Sequence, residues 1–146
     1  SVVGVILRDN YFLGSKVNYS GWGNDCLVRL FNRQVHNFND AMVHENIDLN
    51  GKSKKHKVKG VISHAAVIDV GQFLTKVNRY SEIRAKTIKK KLHPSVIVIK
   101  SLFAFFRTYI LRGGILDGTP GLVISFSNAN GVFWKHIKRY YRKGEE

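Results

Sequence analysis

The sequence predicts an α/β fold: a few short strands followed by three helices, the last two amphipathic. Three observations carry this expectation. Up to residue 68 the apolar residues come in short runs bounded by Gly, Asn and Asp, as strands between turns do. From Asp69 onward apolar positions recur at helical spacing over longer stretches. Pro94, Gly113-Gly114 and Thr119-Pro120 then divide that second part where helices would end and begin. With 146 residues, 44% of them hydrophobic, the chain can fold around a core.

Taken in order, residues 2–7 are a short apolar run that reads as a strand or a truncated element, closed by Arg8-Asp9-Asn10. Residues 18–24 are turn-rich, centred on Gly21-Trp22-Gly23-Asn24. Residues 26–31 and 40–44 read as strands joined by a polar connection around Asn32-Arg33-Gln34. Asn50-Gly51 is a turn signal within a basic loop that runs to Lys57, expected to be solvated, with lysines able to touch phosphate. Gly51-Lys52-Ser53 copies the end of a phosphate-binding P-loop. That motif needs a glycine where Asn46 stands, so it is rejected. Val58 to Ser63 is a further strand ending at His64.

Asp69 is placed to cap a helix running to about Leu92, with Val70, Phe73, Leu74 and Val77 on one face. Lys86 and Lys89 to Lys91 suit its C-terminal end. After Pro94 a second helix, about 95–112, leaves only a narrow polar stripe of Lys100, Arg107 and Thr108. It is shorter than the ~20 apolar residues of a spanning helix and carries two cations. A core helix and a helix lying in a membrane interface both fit. In the third helix Thr119 is expected as N-cap and Pro120 in the first turn. Its tail interleaves Trp134 and Tyr140 with Lys135, Lys138, Arg139 and Arg142. Such a tail fits either a headgroup-contacting helix or an ordinary solvated basic end.

The charge balance, 24 Lys+Arg against 10 Asp+Glu for a formal +14, favours a polyanionic partner, either nucleic acid or an anionic membrane surface. Cys26 is the only cysteine, which excludes a disulfide framework and a thiolate metal cluster. Its apolar run predicts a buried structural thiol in a reducing, cytoplasmic setting. No signal peptide is visible, so the sequon Asn18-Tyr19-Ser20 carries little weight. The only methionine is Met42, and the chain beginning at Ser1 is expected to be part of something longer.

The chemistry-bearing residues are few. Glu45 follows a strand-like run and borders a turn, where a carboxylate can act as a general base or simply be solvated. His44-Glu45 does not start a zinc-protease signature, since Asp48 occupies the place of the second histidine. His64 reads as a structural histidine or a metal ligand, and Trp22 as core filling or a sugar-stacking surface. Arg29, in an apolar strand, needs a carboxylate or phosphate partner if buried, so Asp25 and a donor phosphate are its candidates.

The order of the pieces says more than any one of them. Asn10-Tyr11-Phe12-Leu13-Gly14 is followed by Gly21-Trp22, Arg29-Leu30-Phe31, Val43-His44-Glu45 and His64. Asn78-Arg79-Tyr80-Ser81 and Gly114-Ile115-Leu116-Asp117-Gly118-Thr119-Pro120-Gly121 complete the series. This resembles the second half of a family 2 glycosyltransferase, in particular the bacterial lipopolysaccharide core glucosyltransferases. The likeness runs from about Val5 to Tyr141, and its most specific parts are His44-Glu45 and Leu116 to Gly121.

The resemblance implies a GT-A fold, inversion at the anomeric carbon, a nucleotide-sugar donor and a divalent cation, Mg or Mn. By position, Glu45 matches the catalytic base. Trp22 and Asp25 match the acceptor-binding side and His64 a metal ligand; His44, beside the base, is assigned to the acceptor side as well, and Arg29, from its place in the strand, to the donor phosphate. Residues 1–68 would be the acceptor-side half of the catalytic domain and 69–146 a helical, membrane-associated region. The implied partners are a lipopolysaccharide or glycolipid acceptor and the anionic inner face of the cytoplasmic membrane. The family's first half carries an Asp-x-Asp metal motif, and this sequence has no two aspartates so spaced. The main metal ligands are therefore expected in a missing N-terminal half, and this chain alone is expected neither to bind a nucleotide sugar tightly nor to turn over. The alternative is a small basic module that binds nucleic acid or a membrane surface without catalysis. Nucleic acid is disfavoured, because the cations cluster in a loop and at helix ends and no nucleic-acid motif is present.

Overall fold

The computed structural model describes residues 2–39, 47, 49 and 53–142. The expected mixed α/β class is what these residues form. Strands β1 (Val2–Phe12), β2 (Ser15–Val17), β3 (Asp25–Leu30) and β4 (Lys54–Val67) build one antiparallel sheet, and helices α1 (Val70–Thr87), α2 (Pro94–Phe106) and α3 (Thr119–Tyr141) follow. The chain divides into two compact units. One holds Ser1–Asn10 and Asn24–His64, the other Tyr11–Gly23 and Ala65–Glu146.

β1 is the hub of the sheet, pairing with β2, β3 and β4. It is longer than the apolar run of residues 2–7, because Arg8 and Asn10 find polar partners across the sheet and the strand continues through them. The turn into β2 holds Leu13 and Gly14 at φ 48° and 81°. Two residues at positive φ match the right-handed twist of a tight hairpin. β3 runs antiparallel to β1, with Val5 opposite Val28 and Arg8 opposite Asp25. Between Val5 and Gly4 the register slips, leaving Arg29 as the extra residue of a bulge.

β4 begins at Lys54, inside the run expected to be a loop, and passes beyond His64 to Val67. The expectation of solvated lysines holds, since Lys54 to Lys57 are exposed, but they sit on extended, paired backbone. Cys26, expected buried, is exposed on β3, a strand with no fully buried position. In the β3–β4 connection the Asn32 side chain accepts from Gln34 N at 2.9 Å in an Asx turn. Buried His36 bonds Ser53 Oγ, and Phe31 meets Phe38 edge-on. The expected strand at 40–44 lies outside the described residues.

The second unit has a core of Phe12, Val17, Val67 and Ile124, with Trp22, Phe73 and Val123 packed against it. Asp69 caps α1 as expected, its Oδ1 accepting from Gln72 N at 2.7 Å. The helix stops at Thr87, five residues before the expected end, where Ile88 turns extended. The three consecutive lysines that follow repel one another, and the residue before Pro94 is restricted to extended geometry, which His93 adopts. Pro94 is itself the first residue of α2, with His93 as cap.

A π-helical turn, Arg107–Leu111, extends α2, and a 3-10 turn, Gly114–Asp117, leads to α3. Thr119 lies inside the first turn of α3, and Gly118, at φ 62° and ψ −136°, holds the cap position instead. That backbone geometry is open only to glycine at low cost, so the chain reverses one residue earlier than the Thr-Pro signal suggests.

Candidate functional site

The first unit draws two of the sequence-selected residues together. Arg8 and Asn10, two apart on β1, present their side chains to the same face. Arg8 Nε donates to Asp25 Oδ2 at 2.8 Å, and Arg8 Nη2 donates to the same oxygen. Asn10 Nδ2 is the third donor on that oxygen, at 3.1 Å. Because a carboxylate only accepts, the Asn10 amide must turn its NH2 to Asp25 and its oxygen to His64, whose Nδ1 lies 2.9 Å away. His64 therefore carries its proton on Nδ1 when neutral. Arg8, Asp25, Asn10 and His64 form one chain across three strands.

Burial pushes the Asp25 carboxyl up. The Asn10 and Arg8 hydrogen bonds and the charges of Arg8 and His64 outweigh it and hold the group below its usual value. Asp25 is thus an anion fixed in place. The partner considered for it in Arg29 is replaced by Arg8, which sits directly across the strand pair, while Arg29 is exposed at the bulge. Arg8 stands in no motif, and Asn10 opens the stretch Asn10 to Gly14 with no role assigned to it there. The signal that marks them is polar residues at i and i+2 inside a strand.

Trp22 belongs to the second unit, half-buried and tilted against Phe12 with ring centroids 6.3 Å apart. Its loop is held by Asp117. Oδ1 accepts from Asn18 N at 2.9 Å, and Oδ2 from Tyr19 N at 3.1 Å and Ser20 Oγ at 2.8 Å. Ser20 N donates to Arg112 O, closing the clamp from the other side. The stretch Leu116 to Gly121 therefore has a structural role that its sequence did not announce. Gly121 completes it, because a Cβ there would lie 1.8 Å from the Gly114 carbonyl oxygen.

Two cations in the tail of α3 are engaged within the fold. Lys138 Nζ donates to Asn78 O, Asn78 Oδ1 and Ser81 Oγ and pairs with Glu82 at 3.3 Å. Arg139 donates to Lys89 O. Both charges are engaged with the α1 region of the fold.

Glu45 and His44 lie outside the described residues. Among the described residues no three His, Cys, Asp or Glu side chains come together to hold a metal ion. His64 with its Nδ1 engaged offers at most one imidazole ligand through Nε2, so the described residues do not by themselves form the divalent-cation site that the resemblance implies. No protein-family model matches the chain, and no solved structure matches it.

Proposed function

We propose that the chain is the C-terminal, acceptor-side part of an inverting family 2 glycosyltransferase of GT-A fold. The assembled enzyme would transfer a hexose, glucose being the expected sugar, from a nucleotide sugar to a lipopolysaccharide core or another lipid-linked glycan. It would work at the inner face of the cytoplasmic membrane. The order of motifs supports this reading. The structural observation that supports it is the network joining Asp25 to His64 through Asn10, since the resemblance gives Asp25 a role on the acceptor side and His64 one at the metal.

In such a transfer the acceptor hydroxyl oxygen attacks the anomeric carbon from the face opposite the leaving group. Glu45 takes the hydroxyl proton as the new C–O bond forms, and the old bond's electron pair leaves with the nucleoside diphosphate. Asp25 and His44 are assigned to the acceptor side, and Arg29 to the donor diphosphate. A divalent cation, when bound, neutralises charge growing on that diphosphate. Its ligands are assigned mainly to a donor-binding half carrying the Asp-x-Asp motif.

Two measurements test this. In the enzyme completed by its donor-binding half, Glu45→Gln should lower turnover by about a hundredfold or more with donor binding unchanged. Turnover surviving within a few-fold removes Glu45 from the base role. Calorimetry of the 146-residue chain with UDP-glucose should show no micromolar binding. Micromolar binding would overturn its assignment as an acceptor-side part.

A further inference from the structure

α2 and its π-turn extension, Pro94–Leu111, place Ile97 and Thr108 in the protein interior. Ile99, Leu102, Phe103, Phe106 and Ile110 recur at three- and four-residue spacing and form an opposite, exposed stripe. Leu102 is 65% and Phe103 57% exposed. The connection that follows leaves Leu111, Ile115 and Leu116 in solvent as well, the last at 67%. Phe105, by contrast, is half-buried and stacks near Tyr109. So much contiguous apolar surface marks an interaction face.

The charge around this face selects its partner. Lys100 and Arg107, seven residues apart, flank the stripe on one side of the helix, and both are exposed. Lys89 to Lys91 precede the helix and Arg112 ends it. Between Glu82 and Glu145 the only acid is Asp117, whose carboxylate is engaged with residues 18–20. An apolar stripe edged with unopposed cations complements an anionic bilayer surface.

Length alone would allow a different placement. Eighteen helical residues measure about 27 Å against about 30 Å of hydrocarbon. Spanning would put Lys100 and Arg107 in lipid, together with the α3 neighbours Asn128, which bonds Thr108, and Asn130.

We infer that the outer face of α2 lies flat in the interface of an anionic phospholipid bilayer, with Leu102 and Phe103 among the acyl chains and Lys100 and Arg107 at the lipid phosphates. This deepens the membrane-facing part of the proposed function. It is read by vesicle binding without turnover, so either can fail alone.

The test is flotation of the chain with vesicles of phosphatidylcholine alone or mixed 3:1 with phosphatidylglycerol. Binding is expected only to the mixed vesicles, weakened by salt and released by alkaline carbonate. Leu102→Ser with Phe103→Ser should cut it more than tenfold, and Lys100→Gln with Arg107→Gln several-fold. Circular dichroism and thermal melting should show both variants folded, because the replaced groups are exposed. Unchanged binding by the folded Leu102/Phe103 variant would overturn the inference, as would carbonate-resistant insertion. So would a dimer that forms through this face in place of vesicle binding, or tight single-stranded DNA binding without any to vesicles.

Discussion

Replacing Asp117 with alanine removes at once the carboxylate that three donors share. The three donors do not lose equally. Ser20 is 1% exposed, so its hydroxyl has no water to turn to once its acceptor is gone, whereas the Asn18 and Tyr19 amides lie in exposed bonds and can be rehydrated. A stranded buried hydroxyl costs about 1–2 kcal/mol, and each rehydrated amide about 0.5–1 kcal/mol, giving about 2–4 kcal/mol for Asp117→Ala. Set against a domain stability of about 5–15 kcal/mol, that is a large share. Urea denaturation followed by circular dichroism measures it, with a fall of roughly 10 °C in Tm expected alongside. Ser20→Ala alone should cost about 1 kcal/mol, and adding it to Asp117→Ala should cost almost nothing more, since the two share one interaction. A loss below about 0.5 kcal/mol for Asp117→Ala, or full additivity in the double variant, would refute the clamp as a source of stability.

Asp25, held below its ordinary value of 3.8, contributes stability that is present above that pH and lost as pH falls through its lower folded value. Asp25→Asn should therefore be less stable than wild type at pH 7, with the gap closing below pH 3.8; denaturation curves at both ends that keep the same gap would contradict the network. Lys138→Met should lower stability by about 1–3 kcal/mol by releasing Asn78, Ser81 and Glu82, with a matching shift in the urea midpoint. Gly121→Ala drives a methyl into backbone oxygen rather than a yielding side chain, so a loss above about 3 kcal/mol or failure to fold is expected by circular dichroism.

How far the sequence foretold these features depends on the distance over which each is decided. The Asp69 cap was legible because cap and donor are three residues apart, and the three helices because their periodicity is local. The β1–β2 hairpin was not, since Leu13 carries none of the Asn-Gly or Gly-X signals that mark positive φ. Lysines at Lys54 and Lys55 look like loop to any local reading, and only pairing makes them strand. Asp25 and His64 stand out as candidate site residues in the sequence. The roles of Arg8 and Asn10 do not, because they depend on the β1–β3 register, and register is a property of two strands together. Asp117 is the extreme case, with its partners nearly a hundred residues away in sequence.

That separation bears on how the chain assembles. Each helix can form from contacts within a few residues of itself, on the timescale of local ordering. The Asn18–Asp117 bond, 99 residues apart, closes a loop that holds all of β3, β4, α1 and α2, and it becomes favourable only when the entropy of that closure has already been offset elsewhere. The loop carrying Trp22 is therefore expected to take its final shape late in folding, as a keystone does: the helices can order without it, whereas its bonds to Asp117 and Arg112 wait for the α2–α3 connection.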